Sequence, residues 1–268
     1  RVMDVEVIRA ELNPEHRLTG NSVAAAIDRR PDGTEVFAVV ATAGTTNVGI
    51  VDDLDSIADA CKGGGVWLHV DGAYGAGALV APSVRDRFNG IERCDSLVVD
   101  PHKWLLSPFD CAALVYRDPT PARLAHTQHA SYLDATIEDA FYNPSDHAHV
   151  LTRRARGVPF WFSLAVHGTD AYRDAIEHTL SVARATRDLV VAAEHLELLI
   201  EPDLSVVAFR RRGWGADDYQ AWCDQLMANG TAMLTPTTFE GGPAMRVCII
   251  NPRTTVDDLA EIFATLEP

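Results

Sequence analysis

No run of apolar residues in this 268-residue chain approaches the ~20 that a helix needs to cross a bilayer. No secretory leader is visible at its start. Basic residues are scarce: 23 Lys and Arg stand against 38 Asp and Glu, and the net charge of -15 argues against nucleic acid or an anionic membrane as partner. The five cysteines (Cys61, Cys94, Cys111, Cys223 and Cys248) are odd in number and form no C-x-x-C pair. Free thiols in a reducing cytoplasm are therefore expected rather than a disulfide framework. Neither G-x-S-x-G nor G-x-x-x-x-G-K-[ST] occurs, which removes the α/β-hydrolase and P-loop readings. Gly75-Ala76-Gly77 lacks the third glycine of a dinucleotide fingerprint. What the chain does have is 47% hydrophobic residues, enough for a sizeable core in one large domain or two moderate ones.

The first 120 residues read as α/β. Residues 35–42 (EVFAVVAT) are a continuous apolar run, as for a strand covered on both faces. A loop of small residues, 43–49, follows it. Residues 53–61 space Leu54, Ile57, Ala58 and Cys61 as one helix face, stopped by the glycines at 63–65. Strands are predicted at 66–70 and 96–99, with helical character between them from residue 84, and at 111–116; residues 2–9 alternate weakly as a further strand. The stretch 120–150 has poor periodicity and reads as a long connection. One long helix or two follow over 158–195, then strand, helix, strand and helix to the end. The expected division is a larger domain over 1–175 and a small α+β domain over 176–268.

Chemistry concentrates at two strand ends. Asp71 closes one predicted strand and Lys103 follows the next. If both strands lie in one parallel sheet, the two residues emerge at the same edge. A lysine can hold an aldehyde covalently, and a carboxylate beside a pyridine nitrogen favours its protonated form. That pairing suits pyridoxal phosphate (PLP). By themselves the two residues are equally compatible with a strand-end carboxylate and an unrelated surface lysine.

The flanking residues narrow this. His-Val-Asp-Gly-Ala-Tyr-Gly-Ala at 69–76, Asp-Pro-His-Lys-Trp-Leu at 100–105 and Ala-Gly-Thr-Thr at 43–46 resemble the signatures of the group II PLP-dependent amino-acid decarboxylases, over nearly the whole chain and most closely the aromatic-L-amino-acid members. The resemblance implies the type I PLP-dependent enzyme fold: part of a large, mostly parallel-sheet domain plus a small C-terminal α+β domain. It implies that Lys103 forms the Schiff base, Asp71 pairs with the ring nitrogen, Ala73 lies against one ring face, His102 binds the phosphate and positions substrate, and Thr46 sits near the phenolic oxygen. Asp100 stands where many aromatic-type members carry an asparagine that contacts the phosphate. A carboxylate there is unfavourable unless it is protonated or turned away. Tyr132 matches a loop tyrosine that returns a proton to the carbanion left by CO₂.

Two other clusters carry less chemistry. Arg153, Arg154 and Arg156 read as structural, the alternative being an anion site. His126, His129, His147 and His149 lack the carboxylate or cysteine pattern of a metal centre, and no metal is expected. The family also carries a long segment before the position of Arg1, which supplies most of the phosphate grip. The expected activity is thus decarboxylation of an L-amino acid, aromatic by preference, to its amine and CO₂. The chain would act as one part of a split or cleaved cytoplasmic enzyme, with a second polypeptide supplying the N-terminal half, as a homodimer or heteromer. Aldehyde synthase or aminotransferase chemistry, or a non-catalytic subunit that pairs with a full-length decarboxylase, are the alternatives.

Overall fold

The computed structural model describes residues 4–127 and 143–267. Its first sheet is built from β1 (Ala38–Thr42), β2 (Trp67–Asp71), β3 (Ser96–Val99) and β4 (Ala113–Tyr116), in that spatial order. β1, β2 and β3 are parallel and β4 runs antiparallel at the edge. Helix α1 (Gly20–Asp28) packs on α2 (Leu54–Lys62), which makes the crossover from β1 to β2. The Asp53 side chain starts α2 by accepting the Ser56 N–H at 3.3 Å. Leu54, Ile57, Ala58 and Cys61 are buried together with Ala41, Leu68 and Val70, the inward residues of β1 and β2.

After β4 comes α3 (Thr120–His126). The long helix α4 (Gly157–Ala192) is broken at Gly168, where φ is 77° and ψ 160°. The second sheet is antiparallel throughout, in the order β5 (Leu196–Leu198), β6 (Val206–Arg211), β8 (Gly242–Cys248), β7 (Thr237–Phe239). Helices α5 (Ala216–Ala228) and α6 (Val256–Ala264) pack with it around Phe209, Tyr219, Met245 and Phe263. Ile176 and Leu180 of α4 belong to the first core, whereas Val182, Ala183 and Val190 belong to the second.

Three expectations change. Residues 4–9 form no strand; their alternation has no neighbouring strand to pair with. The segment between β2 and β3 is not α-helical but winds as 3₁₀ turns, Gly75–Val80 and Pro82–Phe88, because Pro82 and the small residues favour short tight turns. Nor do the described residues cover the 35–42 strand on both faces. The face carrying Val40, His69, Ser96 and Leu114 leaves Val40 61% and Leu114 50% exposed.

The two sheets meet along a polar seam. Asp203, only 6% exposed, pairs with Arg17 and accepts the Val51 N–H at 3.0 Å. The Asp203 carboxylate raises the Arg17 guanidinium above its ordinary value. Tyr74 Oη shares a 2.6 Å hydrogen bond with Ser205 Oγ and accepts the Ser205 N–H at 3.1 Å.

A candidate cofactor site at the edge of the first sheet

The parallel strands β1, β2 and β3 all end at one edge, and their loops carry the residues that the sequence singles out. Asp71 closes β2 in register with Thr42 of β1 and Val98 of β3. The loops are laced to one another through the backbone. Ala43 N–H donates to Asp71 O at 2.8 Å, Gly72 N–H to Val98 O at 3.0 Å, and Asp100 N–H to Ala73 O at 3.0 Å. Close approach is needed for this. A Cβ built on Gly75 would stand 2.2 Å from Ala43 O, and one on Gly44, whose φ is +100°, would stand 2.8 Å from Gly75 Cα. Glycine at these two positions is therefore what lets the β1 and β2 loops touch.

Asp71 is exposed, and its Oδ1 accepts the Ala73 N–H at 3.0 Å. Its Oδ2 has no hydrogen-bond partner among the described residues, so one carboxylate oxygen is held and the other is open. Lys103 Nζ lies 2.8 Å from Asp100 Oδ2, and 43% of the lysine side chain is exposed. Its neighbour Trp104 fixes it from below. Trp104 is 1% exposed, stacks on Tyr74 with ring centroids 4.9 Å apart and an interplanar angle of 13°, and donates Nε1–H to Thr179 Oγ1 of α4 at 3.1 Å. The chain contains only two lysines; the other, Lys62, ends α2 near the opposite edge of the sheet.

His102 Nδ1 is 2.6 Å from Cys111 O and 3.2 Å from Cys111 N, so the Cys111 backbone fixes the ring from this side. Its Nε2 stands 4.0 Å from Asp100 Oδ2, and Phe109 meets the ring edge-on at 5.1 Å. Thr46 is exposed in the loop after β1. Thus Asp71, Ala73, Thr46, Asp100, His102 and Lys103 share one sheet edge. Tyr132 and His129 lie outside the described residues. Asp100, the doubtful phosphate contact, turns its carboxylate onto Lys103. Arg154 and Arg156 are both spent on Asp110, the latter through Nε at 2.9 Å, and together they hold that carboxyl below the usual range. Arg153 Nη2 donates to Pro144 O at 3.4 Å.

Sequence reading missed Arg246. From β8 it donates Nη1–H to Thr46 O at 2.7 Å and pins the Thr46 loop to the second sheet. Two hundred positions separate these residues, and no local pattern links them.

The donor set fits an aldehyde-bearing, ring-nitrogen cofactor: one exposed amine, one half-open carboxylate and one small residue between them. The Pyridoxal-dependent decarboxylase conserved domain matches residues 1–212, and the chain belongs to that family. An aromatic-L-amino-acid decarboxylase of Bacillus atrophaeus is 31% identical, over 98% of this chain and 57% of its own length. An L-2,4-diaminobutyrate decarboxylase of Acinetobacter baumannii is 30% identical, over 87% of this chain and 47% of its own. The crystal structure of Oryza sativa TDC with PLP and tryptamine superposes with a TM-score of 0.89 at 24% identity, over 98% of this chain and 56% of that chain, which establishes the fold. The chain spans about half the length of these relatives.

Proposed function

We propose that this chain carries the lysine-bearing wall of a PLP-dependent decarboxylase that converts an L-amino acid, aromatic by preference, into its amine and CO₂. The observation that carries the reading is the lacing of the Asp71–Ala73 and Asp100–Lys103 segments at one sheet edge, which brings an exposed amine and an open carboxylate oxygen onto hydrogen-bonded neighbouring loops. When bound, the cofactor supplies an electron sink for the carbon that loses its carboxylate. Lys103 Nζ would hold the cofactor through its aldehyde, and Asp71 Oδ2 would accept a charge-assisted hydrogen bond from the protonated ring nitrogen. Ala73 presents a methyl to the ring face, where a larger side chain would hold the ring off. Thr46 would contact the phenolic oxygen. His102 Nε2 contacts phosphate or substrate, its ring fixed by Cys111 O. Tyr132 returns a proton from its Oη to the substrate's α-carbon.

The same reading holds that a second polypeptide completes the site, and two exposed apolar surfaces support it. One is the open face of the first sheet. The other is the first segment of α4, residues 157–167, where Val158 (58%), Trp161 (65%), Phe162 (62%) and Val166 (61%) are exposed and no residue is buried. A helix apolar around its surface is stable when something covers it. The relatives' additional length is of the right order to do so.

The test is reduction of the PLP-loaded, assembled protein with borohydride, followed by peptide mapping. The expected pyridoxyl label is on Lys103. Labelling of Lys62, or of the partner polypeptide alone, overturns the assignment. Amine as the carbon product supports decarboxylation; aldehyde with ammonia refutes it.

A further inference from the structure

On the open face of the first sheet, Trp67, His69 and Asp71 alternate along β2, so their side chains share that face. Ser96 of β3 is the register partner of His69. Ser96 is 4% exposed, and its Oγ has two neighbours: Trp67 Nε1, which donates to it at 2.8 Å, and His69 Nδ1, also at 2.8 Å. An indole N–H only donates. The buried Ser96 hydroxyl proton therefore has one acceptor among the described residues, the lone pair of His69 Nδ1. Satisfying it puts the imidazole proton on Nε2.

We infer that His69 is a positioning residue for Asp71: the Trp67–Ser96 pair locks it as the neutral Nε2–H tautomer, and this reserves the Asp71 carboxylate for the cofactor's ring nitrogen. A cationic imidazole on this face would compete for the same charge. Asp71 itself pulls His69 toward protonation, while burial, the larger effect, pushes the ring below its ordinary range. The Ser96 hydroxyl adds a geometric barrier. Protonating Nδ1 would leave the Ser96 O–H buried without an acceptor, which costs about 1–3 kcal/mol. The other residues in register with His69 are Val40 of β1 and, beyond Ser96, Tyr116 of β4. Asp71 is thus the one charged group acting on the ring from the packed strands. The inference rests on the proposed pairing of Asp71 with the ring nitrogen, but the lock itself is a property of this chain.

Long-range ¹H–¹⁵N correlation spectra of the histidine-labelled, cofactor-free chain read the tautomer directly. A neutral His69 with Nδ1 unprotonated near neutral pH is expected. A cationic ring, or a proton on Nδ1, overturns the lock without touching the assignment of Lys103. In Ser96→Ala the Nδ1–H form should appear and the Trp67 indole N–H signal should move; an unchanged tautomer refutes the role of Ser96. In the assembled protein, PLP affinity should fall more steeply from about pH 8 to about pH 6 in Ser96→Ala than in the wild type, by up to about a further tenfold per pH unit once the ring charges. Parallel affinity profiles refute the link to Asp71. If instead the borohydride label misses Lys103, the cofactor reading fails and the tautomer result still stands.

Discussion

Removing a single oxygen, by Tyr74→Phe, tests whether the second sheet is fastened to the site's edge as the geometry indicates. The Tyr74 hydroxyl is buried, and burial holds it protonated well above its ordinary range. It touches Ser205 twice, at Oγ (2.6 Å) and as acceptor of the backbone N–H (3.1 Å), and Ser205 is 0% exposed. Phenylalanine keeps the ring that stacks on Trp104, so the apolar burial is nearly unchanged. What is lost is the partner of two buried groups. At about 1–3 kcal/mol for each orphaned group, with some relief because Oγ can rotate, the cost is about 2–4 kcal/mol. Ser205→Ala alone strands the tyrosine proton, at about 1–3 kcal/mol. The double variant leaves only the backbone N–H of position 205 unsatisfied, so it should be less destabilised than the sum of the singles by about 2–4 kcal/mol. Urea unfolding of the four proteins, with equal slopes, supplies the cycle. A Tyr74→Phe cost below about 0.5 kcal/mol, the range of an ordinary surface substitution, or strict additivity of the pair would refute the reasoning.

Two further outcomes follow from exposure and burial elsewhere. Trp161→Glu, on the uncovered first segment of α4, should leave the chain's own unfolding midpoint nearly unchanged while abolishing its assembly with the proposed second polypeptide, as measured by sedimentation; normal assembly would remove that surface from the proposed interface. Stability should fall as the pH drops through the ordinary histidine range, because the unfolded chain takes up a proton at His69 that the folded chain, with its lowered value, refuses; His69→Gln should flatten that part of the urea-midpoint profile, and an unaltered profile counts against a buried neutral ring.

The α/β part was legible because its signals are local. The Leu54, Ile57, Ala58 and Cys61 spacing forms the buried face of α2, and the apolar run ending at Asp71 forms β2. The convergence of Asp71 and Lys103 on one edge needed only the rule that parallel strands end on the same side. The short strands β5 and β7 were missed, since three residues are too few to show a period. The 3₁₀ winding of residues 75–88 was missed because helical spacing alone does not distinguish it from α. Apolar continuity in β1 suggested cover on both faces, yet Val40 is open. The pattern records that a surface is made to be buried, not which polypeptide buries it. Arg246 on Thr46, Ser205 on Tyr74 and Asp203 on Arg17 are tertiary facts with no sequence period at all.

Asp100 shows how sequence chemistry and geometry constrain each other. A carboxylate near a phosphate position is costly unless something takes up its charge, and here Lys103 Nζ does so at 2.8 Å. The pair is nonetheless partly exposed on the lysine side, and such pairs contribute only about 0–1 kcal/mol. It is therefore weak enough to open when the amine is needed elsewhere. Asp100→Asn removes the restraint and keeps the shape. Lys103 should then react faster with an amine-selective aldehyde reagent, by up to about fivefold for about 1 kcal/mol. Lys62, far along α2, serves as the internal standard because the chain has no third lysine. An unchanged Lys103-to-Lys62 ratio would mean that Asp100 does not govern the amine. Its carboxylate would then have to be accounted for by His102, whose Nε2 lies 4.0 Å away.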